Sequence, residues 1–263
     1  MPEIPSRNAF EFQGVGFGYE KGARVLDGVD LSVPAGKITA LIGPNGCGKT
    51  TAFALLSRIY KPDAGRILFE GRPIPEIPRR EYARRVAAVH QYNTVPDDMT
   101  VRRLVAMGRT AYHGQMFARL GEEDHEEVER AMRETCTEEF AERQVKELSG
   151  GQMQRVWLAL ALAQTHEVLL LDDITTYRDV YYQYEILDLI KKLNADCGTT
   201  VLMVLHDIDQ TIRYADKIAL MKEGKILAAG GADEVITSET LRRTYGVRAE
   251  IARVRDRKIC ICE

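Results

Sequence analysis

The chain has 263 residues, 45% of them hydrophobic, enough to bury one large α/β core with room for an inserted subdomain. Its formal charge of −3 gives no electrostatic reason to expect a nucleic-acid partner. No apolar run reaches the ~20 residues that span a bilayer, the N-terminus lacks the apolar core of a signal peptide, and the five cysteines show no paired metal-ligand spacing; together these features place the chain in a reducing cytoplasm.

Residues 10–33 alternate apolar positions broken by Gly and Asp, as a small antiparallel sheet would. Residues 38–42 read as a buried strand. They lead into Gly43-Pro44-Asn45-Gly46-Cys47-Gly48-Lys49-Thr50 and then into the apolar residues 51–56, which suit a helix. A strand, a glycine-rich loop and a helix are the context that a phosphate-binding loop requires. Backbone N–H groups from Gly46 to Thr50 would face phosphate oxygens at a helix N-terminus, where the dipole favours negative charge. Lys49 would reach the β and γ phosphates, and the Thr50 hydroxyl would ligate Mg2+. Cys47, beside Lys49 and a helix N-terminus, is expected to have a lowered pKa and to be alkylated readily unless nucleotide protects it.

Residues 85–90 read as a second strand. From 92 to 147 the pattern turns helical and polar, with Val101, Leu104, Val105 and Gly108 at one spacing. The acidic run from Glu122 to Glu127 reads as a solvated helix start. Leu148-Ser149-Gly150-Gly151-Gln152 opens a helix over 153–164 with Val156, Trp157, Leu160 and Ala163 at helical spacing; taken alone, Ser149 is simply a good N-cap. An apolar strand at 168–171 ends in Asp172 and Asp173. A helix with Ile186, Leu189, Ile190 and Leu193 on one face follows, then a strand over 200–206 ending in His206, a right-handed crossover pattern. Residues 218–221 and 226–228 flank a turn and read as a hairpin. Cys260 and Cys262 have the wrong spacing for a zinc knuckle and read as a strand or tail.

With the phosphate loop, the Ser149-Gly150-Gly151-Gln152 segment, the Asp172-Asp173 strand end and His206 in this order, the chain resembles an ATP-binding cassette, the nucleotide-hydrolysing subunit of ABC transporters. The resemblance covers almost the whole length. It implies an α/β fold: a P-loop NTPase core of mostly parallel strands, an N-terminal antiparallel β subdomain and an inserted helical subdomain. Residues 1–91 and 153–263 would form the nucleotide-binding core with its β subdomain, and 92–152 the helical subdomain with the signature motif. The ATP site would comprise residues 43–51, Thr51 included, with Tyr19 stacking on adenine. Asp172 matches the acid that holds Mg2+, usually through water. Gln91 matches the glutamine that senses Mg2+ and the γ phosphate and begins the link to the permease. Asp173 falls where the family has the glutamate that polarises the attacking water, and His206 matches the switch histidine at the γ phosphate. Asp179 matches the acid of the loop that crosses the dimer interface. Ser149, Gly150, Gly151 and Gln152 of one cassette complete the ATP site of the other.

One cassette per chain then implies a homodimer or a paralogous partner, docked on an integral membrane permease at the inner face of the cell membrane. An extracytoplasmic substrate-binding protein would be linked indirectly. The phosphate loop, residues 175–185 and 206–216, and the tail at 234–247 look like those of importers of iron-siderophore complexes, haem and cobalamin. The expected function is ATP hydrolysis that powers such import. The alternative is a soluble or hydrolysis-impaired cassette acting as a nucleotide switch, because the chain departs from the family at one place. The family reads Glu-Pro after the magnesium acid; here stand Asp173 and Ile174, with Arg178 in place of a leucine. Aspartate is one methylene shorter, so its oxygens retreat by about 1.5 Å, a displacement that costs on the order of a hundredfold in rate. Loss of the proline equally leaves the backbone free to restore contact, and Arg178 would put a cation near the dimer seam.

Overall fold

The computed structural model describes residues 7–19, 22–91, 93–96, 98–113, 120–175, 179–255 and 257–262. In chain order its elements are β1 (Asn8–Phe17), β2 (Leu26–Pro34), β3 (Ile38–Ile42), α1 (Lys49–Leu56), β4 (Ala64–Phe69), β5 (Arg72–Pro73), α2 (Arg79–Ala83), β6 (Val86–Val89), α3 (Val101–Ala106), α4 (Glu122–Glu134), α5 (Gly150–Gln164), β7 (Val168–Asp172), α6 (Val180–Cys197), β8 (Thr200–Val204), α7 (Ile208–Tyr214), β9 (Lys217–Lys222), β10 (Lys225–Gly230), α8 (Ala232–Val235), α9 (Ser238–Tyr245), β11 (Ala249–Val254) and β12 (Arg257–Cys262). They form two compact units, residues 1–77 with 200–263, and residues 78–199.

In the first unit, β1 pairs antiparallel with both β2 and β4, and β5 closes the order β2-β1-β4-β5. Phe10 and Phe12 point inward while Glu11 and Gln13 are half-buried, the period of two expected of a sheet with one solvated face. Phe10 meets Phe69 across the pair at 5.2 Å between ring centroids. The second sheet of this unit sets β3 between β8 and β9, parallel to both, with β10 antiparallel on β9. Every residue of β3 and β8 is buried, so these strands read as continuous apolar runs because both faces are covered. The β9–β10 hairpin turns through Glu223 (φ 48°) and Gly224 (φ 75°), two positive dihedrals whose twist matches that of the flanking strands. The C-terminal hairpin is held to α7, where the Cys260 N–H donates to Asp209 Oδ1 at 2.9 Å.

In the second unit, β6 and β7 run parallel. Ser149 caps α5: its hydroxyl accepts from the Gln152 N–H (3.3 Å) while Gln152 Oε1 accepts from the Ser149 N–H (2.9 Å). The helix therefore starts at Gly150, earlier than its apolar spacing indicated. On α6, Ile186, Ile190 and Leu193 are buried and Leu189 half-buried, as the spacing predicted. The acidic run does start a helix, with Glu122 and Glu123 exposed, but one member breaks the pattern. Asp124 is buried and accepts from Arg109 Nε at 2.9 Å, from the Gly121 N–H at 2.9 Å and from His113 Nε2 at 2.7 Å. Arg109, itself buried, also donates to the Ala163 carbonyl of α5 (2.9 Å) and lies over the Tyr112 ring. This cluster ties the segment after α3 to α4 and α5. Among the described residues, no helix is long and apolar enough to cross a membrane, and no cluster of three or more His, Cys, Asp or Glu is arranged for a metal.

Burial alone would raise the Asp124 carboxyl, but the hydrogen bonds from Arg109, Gly121 and His113 outweigh it and hold the group below the usual carboxylate range. Asp124→Asn leaves Arg109 buried beside a neutral group, and chemical denaturation at neutral pH should show a loss of about 3–5 kcal/mol. Because the folded pKa is depressed, this stabilisation is complete above the unfolded value and is lost as pH falls through the folded one. The deficit of the variant should accordingly shrink below about pH 4.

Candidate functional site

The parallel register of β3 and β8, with Leu41 opposite Val204, delivers the phosphate loop and His206 to the same edge of the first unit's sheet. Carboxyl ends of parallel strands are where α/β sheets bind ligands. α1 begins at Lys49 with Gly48 as N-cap at φ 111°. Only glycine fits at the two ends of this loop. A Cβ on Gly48 would lie 2.7 Å from Leu26 Cδ2 and 3.1 Å from the Val25 carbonyl, and one on Gly43 (φ 151°) would lie 2.1 Å from the Met221 carbonyl. The first-turn N–H groups of α1 consequently open onto the loop, an arrangement suited to anions. Lys49 is buried, and its Nζ donates to the carbonyls of Gly43 (2.7 Å) and Pro44 (2.9 Å). Its charge is thus held over the loop by the loop's own oxygens.

The reading of Cys47 is corrected by the structure. The thiol is buried; this desolvation pushes its pKa up and outweighs the pull of Lys49, whose Nζ lies 3.9 Å from Sγ. Cys47 instead serves packing: its carbonyl accepts from the Gly224 N–H at the tip of the β9–β10 hairpin (3.0 Å). Behind the loop stands Tyr245, the last residue of α9. Burial pushes its phenol up to about 12, the nearby Cys47 adds to the rise, and a hydrogen bond with the backbone of Gly43 opposes it. Nothing in the chain near Tyr245 announces this contact, since it spans the whole second unit in sequence. Tyr19 is more than half exposed, and its hydroxyl lies 3.0 Å from Thr51 Oγ1. His206 is exposed just beyond β8, whose last residue is Val204, so the strand is shorter than its apolar run suggested. Next to it, Asp207 caps α7 by accepting from the Gln210 N–H at 2.7 Å.

In the second unit the parallel pair β6–β7, with Val89 opposite Leu171, brings Gln91 and the two acids to neighbouring strand ends. Asp172 closes β7 and is buried. Asp173 is also buried, sits at φ 54°, and its Oδ2 accepts from Gln91 Nε2 at 2.8 Å. Aspartate tolerates this left-handed conformation better than longer side chains do. Ile174 follows, buried, with its carbonyl accepting from Gln154 Nε2 of α5 at 2.9 Å. The segment carrying the acids is therefore held from one side by Gln91 and from the other by the helix that Ser149, Gly150, Gly151 and Gln152 open. Gln154 was missed in the sequence; its signal was an amide two positions after Gln152, near the start of the helix. Asp179 caps α6, accepting from the Tyr181 N–H at 2.9 Å. Arg178 lies outside the described residues.

Two outcomes test this geometry. Gly48→Ala should cost at least about 1–2 kcal/mol in chemical denaturation, from the left-handed backbone alone, and should lose ATP binding by calorimetry. In thiol-reagent kinetics Cys47 should react more slowly than the exposed Cys136 and Cys197, with reaction sites assigned by mass spectrometry.

The profile of the ABC transporter family matches residues 26–176. The chain is 42% identical over 245 residues to the iron(3+)-hydroxamate import ATP-binding protein FhuC of Bacillus subtilis, covering 93% of this chain and 90% of that one. It is also 42% identical over 227 residues to the ferric enterobactin transport ATP-binding protein FepC of Escherichia coli, covering 86% and 83%. Among solved structures it is similar, with a TM-score of 0.84 and 26% identity over 98% of both chains, to an inward-facing ABC transporter described as metal-chelate type. A second is cbiO1 of Clostridium perfringens, part of the ABC transporter complex cbiONQ, at a TM-score of 0.78 and 29% identity over 90% of this chain and 94% of that one. With a glycine-cornered phosphate loop, a buried lysine folded over it and this degree of likeness, the chain belongs to the ABC transporter family as one of its ATP-binding ATPase subunits.

Proposed function

We propose that this protein hydrolyses ATP to power import of a metal chelate of the iron-siderophore, haem or cobalamin type through a membrane permease. The main support is its 42% identity to the hydroxamate and enterobactin import proteins over 83–90% of their lengths; a cobalamin import protein of Halobacterium salinarum is 36% identical over 231 residues. In this reading two copies, or one copy and a paralogue, pack so that Ser149, Gly150, Gly151 and Gln152 of each complete the other's ATP site. The pair sits on the inner face of the membrane under the permease, and a substrate-binding protein delivers the chelate from outside.

Residues 43–51 cradle the phosphates, with Lys49 exchanging the Gly43 and Pro44 carbonyls for β and γ oxygens. Tyr19 stacks on the base. The oxygen donors on offer, an exposed Thr50 hydroxyl, the buried Asp172 carboxylate and the Gln91 amide, suit Mg2+, a hard cation that binds through one or two carboxylates and keeps several waters. Mg2+ held there would neutralise charge on the β and γ phosphates. Asp173 orients and polarises the attacking water. Its hydrogen bond from Gln91 orients the carboxylate, which supports a competent base despite the missing methylene. His206 donates to the γ phosphate, and Asp179 signals across the dimer.

Steady-state Mg2+-dependent ATP hydrolysis tests the proposal, with Lys49→Ala as the blank. Wild type should turn over above the blank, Asp173→Asn should fall by about a hundredfold or more with ATP binding retained, and Asp173→Glu should change little. Wild type at the level of the blank, with activity restored by Asp173→Glu, would instead make the protein a nucleotide switch.

A further inference from the structure

Three aromatic rings meet at the open end of the first unit's antiparallel sheet. Phe17 closes β1 and is buried; Tyr19 follows it; Tyr60 arrives from the turn after α1. The ring centroids form a nearly equilateral triangle, with Phe17 to Tyr19 at 5.2 Å, Phe17 to Tyr60 at 5.3 Å and Tyr19 to Tyr60 at 5.4 Å. The Tyr19 plane is close to perpendicular to both neighbours, at 87° and 85°. Neither neighbour is therefore stacked parallel on Tyr19, and each meets it in the edge-to-face geometry that aromatic quadrupoles favour. The hydroxyl of Tyr19 supplies the third restraint through Thr51 at 3.0 Å. An exposed tyrosine ordinarily samples several rotamers; this one is held at its tip by α1 and at its sides by two rings. Tyr19 and Tyr60 remain 55% and 42% exposed, so the cluster is an aromatic corner open to solvent beside the helix that begins the phosphate loop's exit.

We infer that Tyr60 is a positioning residue of the nucleotide site: by packing perpendicular to Tyr19 it fixes the ring plane on which the base of ATP stacks. The inference rests on the reading that Tyr19 stacks on adenine. Ordering the ring in advance lowers the entropy lost when the base arrives, and the effect is specific to the base, because the Tyr60 ring packs on Tyr19 and Phe17. A hydrogen-bonding role for the Tyr60 hydroxyl is not required; the ring is what matters.

The test compares dissociation constants for Mg2+-ATP and for Mg2+-tripolyphosphate, which shares the phosphates and lacks the base. Tyr60→Ala should weaken ATP binding about fivefold and leave tripolyphosphate binding unchanged, while Tyr60→Phe should bind ATP as wild type does. Tyr60→Leu keeps bulk without the quadrupole and should fall between them, so the inference stays testable if the alanine variant folds poorly. Equal weakening toward both ligands would make Tyr60 merely structural and overturn the inference. So would unchanged ATP affinity in Tyr60→Ala alongside a loss in Tyr19→Ala, which would leave the stacking role of Tyr19 standing. If Tyr19→Ala also binds ATP normally, the stacking reading itself fails and takes the inference with it.

Discussion

Everything in the first unit is arranged around one backbone constraint, the left-handed turn between β3 and α1. Gly43 and Gly48 take conformations closed to other residues, and the space a side chain would need is already filled from behind by Val25, Leu26 and Met221. The loop is thus curled by glycine and kept curled by packing. The β9–β10 hairpin adds a strap: Gly224 donates to the Cys47 carbonyl, and its own carbonyl accepts from the Asp27 N–H at 3.0 Å. Start of β2, tip of the hairpin and end of α9 all converge on a loop of six residues. That convergence explains why Cys47 is buried and how the buried Lys49 ammonium is satisfied, by two loop carbonyls.

The second unit depends on buried polar contacts of a different kind. Arg109 and Asp124 exchange solvation for two and three hydrogen bonds, and the pair fixes how the segment after α3 and the start of α4 meet α5. At the other end of the same helix, Gln154 holds the Ile174 carbonyl and so sets the backbone beside Asp173. α5 therefore carries the glycine pair at its N-terminus, the acid loop at its side and the helical layer along its length.

At Asp173 the resemblance to the family would place a glutamate, so the local geometry of this position bears on the proposed chemistry. A shorter carboxylate on an unchanged backbone would retreat from any water it served. Here the residue sits at a positive φ that aspartate accepts, is followed by an isoleucine buried in the unit, and meets the Gln91 amide at hydrogen-bond distance.

The sequence by itself determined the family, the α/β architecture and the local conformation of several segments. Loop glycines at fixed spacing, continuous apolar runs ending in acids, and a capping serine before a glycine pair act through local backbone physics, which is why they could be read at residues 43–50, 149–152 and 168–173 without a fold. What only the tertiary structure decided are the properties set by neighbours distant in the chain. Cys47 reads as an activated thiol from its position beside Lys49, yet burial reverses the shift, and burial is set by parts of the chain distant in sequence, such as the hairpin tip at Gly224 and Tyr245. Asp124 reads as one more solvated acid and proves to be the centre of a buried cluster, since only packing brings Arg109 to it. Tyr60 carries no local signal at all; its meaning is the perpendicular ring of Tyr19, more than forty residues away. Local pattern fixes conformation, whereas charge state and ring orientation depend on surroundings that only the folded chain supplies.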